Sequence, residues 1–298
     1  MKYQKRTDLA LEAHELWRDA AKGAELPGIA TREHNAFGYR ATVVEITQSE
    51  AAKALGKPMG TYITLDLHPY WEHTEDALSR AASAVGAEIR SLLGGEGATS
   101  ALVVGLGNAA MTPDAVGAQA AEHVLVTRHL MREAAFSHLT AVSVLVPGVL
   151  GRTGMEAVEI VRGAAKAVRP DVLIVIDALA SRSLARVCTT VQLSDTGIVP
   201  GSGVGNRRRA VDRASLGIPV LAVGVPTVVD AATLALDLLE EAGVEKPDPS
   251  ALRSRGANVM VTPRDIDAQI RELSRVVGYG IDLALQPMDF DALCALMG

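Results

Sequence analysis

Short, β-branched apolar runs alternate along this chain with Ala-rich segments of helical spacing, and the alternation predicts an α/β fold. Leu102-Val103-Val104 runs into Gly105-Leu106-Gly107, and Val172-Leu173-Ile174-Val175-Ile176 ends on Asp177. Runs this short, without a polar face and bounded by glycine or a carboxylate, read as buried parallel strands. A helix is expected from Asp114, a strand from Thr140 to Val146 and a helix from Thr153 to Val168, which makes βαβαβ wiring. Upstream, a helix is expected from Leu9 to Ala20. Strands from Ala41 to Thr47 and Thr61 to Leu67 form a hairpin or join the main sheet, and a helix from Glu75 to Leu93 closes at Gly94-Gly95. Downstream come a strand from Cys188 to Leu193, a glycine-rich loop from Ser194 to Asn206, a strand from Ile218 to Val223 and a helix from Val228 to Ala242. A linker-like stretch from Glu245 to Arg255, a segment from Asn258 to Val261 and two C-terminal helices complete the chain. No repeat or composition break divides it, so residues 1–298 are expected to form one α/β domain, a mostly parallel twisted sheet covered by helices.

Composition narrows the class. Only 3% of the 298 residues are aromatic, so Ala, Val, Leu and Ile must fill the interior. The net charge is −6, and the basic residues are scattered apart from Arg207-Arg208-Arg209. That pattern argues against direct nucleic-acid binding, which draws on a concentrated basic face. Cys188 and Cys294 are too few for a disulfide framework, and no His/Cys spacing has the form of a zinc site. The N-terminus lacks the apolar core of a signal peptide, and Pro219, Pro226 and Asp230 interrupt the most membrane-like stretch. A cytoplasmic protein without a membrane partner is expected.

Two carboxylates carry the candidate chemistry. Asp114 stands at or near a helix N-terminus just beyond one strand, and Asp177 closes another, at the strand ends where open α/β sheets place ligands. Asp177 follows five apolar residues and needs a partner: Arg182 or a backbone amide for a structural role, a second acid sharing a proton for a catalytic one. One ionised and one protonated carboxyl group can activate water and protonate a leaving amine. The competing reading starts from Gly105-x-Gly107-x-x-Ala110, which has the form of a dinucleotide fingerprint. Thr112-Pro113 separates these glycines from the helix, and no acidic residue closes a second strand at the spacing that ribose recognition requires. Gly201-Ser202-Gly203-Val204-Gly205 offers backbone amides for an anion or mobility for a cleft. With both glycine loops on phosphate, the chain would be nucleoside phosphorylase-like or dinucleotide-binding. Ser181 and Ser202 lack a G-x-S-x-G elbow, and the histidines show no H-E-x-x-H pattern.

Taken together, Arg6-Thr-Asp-Leu-Ala10, Gly105-Leu-Gly-Asn108, Thr112-Pro-Asp114, Thr127-Arg-His-Leu130, Pro147-Gly148, Ile176-Asp-Ala-Leu-Ala-Ser-Arg182, Ser194-Asp-Thr-Gly197, Pro200-Gly-Ser-Gly-Val-Gly-Asn206, Gly224-Val-Pro-Thr-Val-Val-Asp230 and Met260-Val-Thr-Pro263 resemble the germination protease family of spore-forming bacteria, nearly end to end. The resemblance implies an endopeptidase, typically homotetrameric, that degrades small acid-soluble spore proteins early in germination, in the forespore and spore core. It implies a fold similar to the phosphorylase/hydrolase-like fold of hydrogenase maturation proteases. The family's two proposed catalytic aspartates fall by motif on Asp114 and Asp177. The matched motifs place Asn108, Thr112, Arg182, Asp195, Gly201, Gly203 and Asp230 in the substrate cleft or its support. No cofactor and no metal are expected. A metal-dependent maturation-type protease is the alternative within this fold, because its metal-binding acid follows a similar Gly-x-Gly-Asn loop.

Two departures stand out. The stretch between Ala242 and Asn258 is shorter than in longer family members. Only five residues precede Arg6-Thr7-Asp8-Leu9, although the family is made as zymogens that shed an N-terminal peptide. Thr7-Asp8-Leu9-Ala10 resembles the acid-hydrophobic-Ala pattern that the family cuts, so a short propeptide of about residues 1–8, cleaved between Asp8 and Leu9, is expected.

Overall fold

The computed structural model describes residues 6–68, 75–94, 98–203, 205, 208–244 and 259–297. Its nine strands are β1 (Ile29–Ala36), β2 (Tyr39–Ile46), β3 (Gly60–Asp66), β4 (Ser100–Gly105), β5 (Ala141–Leu145), β6 (Val172–Ser181), β7 (Thr190–Ser194), β8 (Val220–Asp230) and β9 (Met260–Val261). They form one sheet in the order β1-β2-β3-β7-β8-β6-β4-β5, with β9 also on β8. The run β5-β4-β6-β8 is parallel, as βαβ crossovers require. From β8 through β7 and β3 to β1 the pairing is antiparallel, so the parallel half continues into an antiparallel one.

The helices are α1 (Ala10–Ala20), α2 (Ser49–Leu55), α3 (Ala77–Leu92), α4 (Val116–Glu122), α5 (Leu150–Thr153), α6 (Ala157–Val168), α7 (Arg213–Leu216), α8 (Ala231–Glu241), α9 (Ile266–Leu285) and α10 (Phe290–Met297). Alternation along the strands divides the interior. Val103, Ile174, Ile176 and Val223 pack on one face with Val85 of α3, Val116 of α4 and Val277 of α9. Leu102, Val104, Leu173 and Val175 face the other way, against Val158 and Val161 of α6. On that second side α1 and α2 cover Val44, Ile46 and Tyr62. Burial on both faces is why β4 and β6 carry uninterrupted apolar runs.

Several expected boundaries move. β6 does not end on Asp177 but continues to Ser181, because β8 pairs with it along that whole length. The expected strand from Ile218 and helix from Val228 are instead one strand to Asp230 followed by α8. Pro226 is tolerated inside it because the ladder slips there: Leu179 pairs with Pro226 and Ala180 with Val228. β1 and α2 were not expected, since most of β1 is exposed and polar and only Ala51 and Leu55 of α2 are buried. The expected linker from Glu245 to Arg255 lies outside the described residues.

Candidate active site

β6 outruns its neighbour β4. The last β4 pair is Gly105 with Ile176, after which Leu106 donates one more bond to the Ile176 carbonyl. From Asp177 to Ser181 that edge of β6 is free of β4, and the chemistry gathers along it. A cavity of about 550 Å³ opens there, lined by Asp177, Ala178 and Ala180 of β6, by Asp114 and Gly107, by Gly148, Val149, Pro200 and Gly201, and by Asp8.

Asp114 sits in a single 3-10 turn (Thr112–Asp114) just before α4. Its Oδ2 accepts the N–H of Asn108 at 2.8 Å, and the Asn108 side chain accepts the N–H of Ala110 at 3.1 Å. Gly107 has φ +99°, and a Cβ there would lie 2.0 Å from the Asp114 carbonyl oxygen. Only glycine admits that approach. These facts also answer the dinucleotide reading, because the loop amide that would meet a phosphate already binds a carboxylate.

Asp177 is 5% exposed. Burial pushes its carboxyl well above the usual range, and the charges of Asp114 and Asp8 push it further, against the opposing N–H of Ala178. Burial also raises Asp114, opposed by the Asn108 N–H. Both shifts favour the protonated form, more strongly at the more buried Asp177.

Asp8 enters from the N-terminal segment. Its N–H donates to the Ala180 carbonyl at 2.8 Å, the Ala180 N–H donates to Asp8 Oδ2 at 2.9 Å, and Ser202 Oγ donates to Oδ1 at 2.5 Å. Leu9 is fully buried. Behind it Glu12, also fully buried, accepts from Thr7 Oγ1, Ser181 Oγ, the N–H groups of Arg182 and Ser183, and Arg186. The segment is thus anchored to the far end of β6.

The other expected residues divide. Gly201 lines the carboxylate cavity. Gly203 lies in an adjoining one and abuts Asp8, where an added Cβ would stand 2.0 Å from Oδ2. Arg182 is not the partner of Asp177; it pairs with Asp237 at 3.4 Å in a separate polar cavity. Thr112 belongs to the Asp114 turn but does not line the cavity. Asp195 accepts the N–H of Thr61 at 2.8 Å and ties β7 to β3. Asp230 caps α8 by accepting from Thr233 and stands 3.8 Å from Arg6. Sequence reasoning missed Ala180, whose amide carries no side-chain signal, and the bond from Ser202 to Asp8. It also missed Glu12 and Gln192, although a polar residue between Val191 and Leu193 is a readable sign. Among the described residues no group of three His, Cys, Asp or Glu is arranged to hold a metal ion, and no helix is long and apolar enough to cross a membrane.

A family model described as germination protease matches residues 10–243. The chain is 42% identical to the germination protease of Caldanaerobacter subterraneus subsp. tengcongensis over 309 aligned residues, covering 95% of this chain and 94% of that protein. It is 39% identical to that of Clostridium perfringens, with 96% of each covered. For the Priestia megaterium protein the identity is 36%, with 95% of this chain and 94% of that one covered. Among solved structures, a NiFe hydrogenase maturation protease from Thermococcus kodakarensis KOD1 aligns with a TM-score of 0.37 at 14% identity, over 65% of this chain and 98% of that one.

Proposed function

The chain belongs to the germination protease family, and we propose that it is an endopeptidase that begins the degradation of small acid-soluble spore proteins, with Asp114 and Asp177 activating the attacking water. The observation that carries this reading is the shared cavity: two carboxyl groups from separate elements face one space, the more buried of them pushed toward its protonated form. One carboxylate takes a proton as water attacks, and the other group delivers one to the departing amine. An extended peptide fits beside them by strand addition, in the place where the edge of β6 beyond β4 now binds Asp8 through the Ala180 N–H and carbonyl.

Residues 8–10 supply the pattern for that substrate. An acidic residue exchanges bonds with Ala180, a hydrophobic residue is buried next, and Ala follows. On this reading the uncut chain is a zymogen whose cleft holds its own segment, and cleavage between Asp8 and Leu9 empties it. The same reading makes residues 1–298 one peptidase domain with a propeptide-like segment at about 1–8, working in the spore core as a homotetramer without a cofactor.

The test is incubation with a purified small acid-soluble spore protein and mass mapping of the fragments, together with N-terminal sequencing of the chain held at mildly acidic and at neutral pH. Cuts after an acidic residue and before a hydrophobic residue and Ala, with a new Leu9 terminus in the parent but not in Asp177→Asn, are expected. An intact spore protein would overturn the substrate assignment. Full activity with residues 1–8 still attached would overturn the zymogen assignment.

A further inference from the structure

The carbonyl oxygen of Asp8, which belongs to the bond between residues 8 and 9, is gripped from two directions. Lys57, in the turn after α2, donates from Nζ at 2.7 Å. Gln192 on β7 donates from Nε2 at 3.3 Å. The Gln192 amide is oriented, because its Oε1 accepts the N–H of Ala10 at 2.7 Å and so turns the NH₂ group toward residue 8. Gln192 is also out of place for packing: it is buried in the middle of the sheet, between Thr64 on one strand and Gly224 on the other. A buried amide there is disfavoured unless its hydrogen bonds are made. Both of those above go to the segment carrying the Asp8–Leu9 bond.

A neutral carbonyl gains little from a full positive charge and a second donor together. The same pair gains far more when the oxygen becomes an anion. We infer that Lys57 and Gln192 stabilise the oxyanion formed at the Asp8 carbonyl, and at the matching carbonyl of an extended substrate, an inference that rests on the cleavage reading above. Water adds to the carbonyl carbon and passes one proton to the aspartate pair, while the C=O π electrons move onto the oxygen between Lys57 and Gln192. Collapse reforms the C=O and breaks the C–N bond, and the Leu9 nitrogen takes a proton from the aspartate pair. The products are a carboxyl group on residue 8 and an amine on residue 9.

The experiment compares the full chain with Lys57→Met, Lys57→Arg, Gln192→Met and Asp177→Asn. Two rates are followed: appearance of the Leu9 terminus by mass spectrometry, and cleavage of a synthetic peptide spanning residues 5–13. Loss of one such donor is worth about a hundredfold or more in rate. Lys57→Met is therefore expected to lower kcat on the peptide by about that factor with KM within about threefold, and Lys57→Arg to recover part of it. Gln192→Met should act in the same direction, with folding checked by circular dichroism. A rise in KM with kcat unchanged, or parental rates in Lys57→Met, would make these residues tethers and overturn the inference while leaving the cleavage reading intact. Parental rates in Asp177→Asn would overturn the aspartate reading instead. A parent chain that cuts neither its own bond nor the peptide would overturn both.

Discussion

Asp8 and Ala180 are hydrogen-bonded twice: the Asp8 N–H donates to the Ala180 carbonyl at 2.8 Å, and the Ala180 N–H donates to Asp8 Oδ2 at 2.9 Å. The exchange fixes an acidic side chain on the open edge of β6, three positions beyond Asp177, and its charge is among the causes that raise Asp177. An acidic residue at this point of a bound substrate would act the same way, so the substrate itself would help keep Asp177 protonated.

Asp114→Asn and Asp177→Asn should each lower peptide cleavage by about a thousandfold, the range for losing a positioned acid or base. Circular dichroism and size-exclusion profiles should remain parental, since neither change alters volume. Residual cleavage above a tenth of the parent in both variants would refute the pair. Loss of activity on chelation, restored by one divalent ion, would make the carboxylates ligands of a metal-activated water.

Asp8→Asn should move the alkaline limb of the self-processing profile to lower pH. In the proposed mechanism Asp177 would donate a proton only below its raised pKa, and removing the Asp8 charge removes one of the causes that hold it up. The check is the processing rate across pH for both chains, compared by midpoint rather than by height. An unmoved midpoint would exclude electrostatic coupling between the two.

At Gly203 a side chain has no room while Asp8 is in place, because the added Cβ would meet Oδ2 at 2.0 Å and Ala180 Cβ at 2.6 Å. Gly203→Val should slow self-processing and peptide cleavage at least about tenfold, an effect of misplacing substrate by about an ångström. Its thermal midpoint should change much less. Unchanged kinetics would show that the loop yields freely.

Glu12→Ala should destabilise the fold by about 3 kcal/mol, within the range for breaking a buried charged network by removing one partner. It removes the Glu12 acceptor of the Arg182 N–H and one contact of Arg186, which keeps its bond to Glu15 at 2.7 Å, while the Ser183 N–H keeps Ser181 Oγ at 3.1 Å. Urea unfolding measures the loss. A difference below about 1 kcal/mol would mean that water replaces the carboxylate at little cost.

Asp282 is fully buried in α9, and both its oxygens lie 3.0 Å from the N–H of Leu125. Burial pushes its carboxyl from 3.8 up to about 8, with the Leu125 N–H opposing. Between those values the folded state holds a proton that the unfolded chain has lost, so stability is greatest at the acid end and falls as pH rises toward 8. Asp282→Asn cannot ionise and should shrink the drop in Tm between pH 5 and pH 8. An identical drop in both proteins would place the cause elsewhere.

Reading residues in order recovers what depends on local pattern. The buried runs of β4 and β6 announce a parallel sheet because both faces are covered, and the helical spacing of α3, α6 and α9 is plain for the same reason. Asp177 is legible because a carboxylate directly after such a run is disfavoured without a purpose, and Asp114 because it stands at a helix start beyond the end of a strand. β1 stays hidden because its exposed face leaves no apolar alternation, and the full length of β6 and β8 was missed because the ladder, not the local sequence, carries each past its expected end. Only the tertiary structure decides that Asp8, Asp114 and Asp177 share one cavity, that Arg182 pairs with Asp237 rather than Asp177, and that Lys57 and Gln192 meet at one carbonyl oxygen. Those meetings join residues up to about 180 positions apart. The order of strands in the sheet sets them, and no periodicity within a single segment encodes that order.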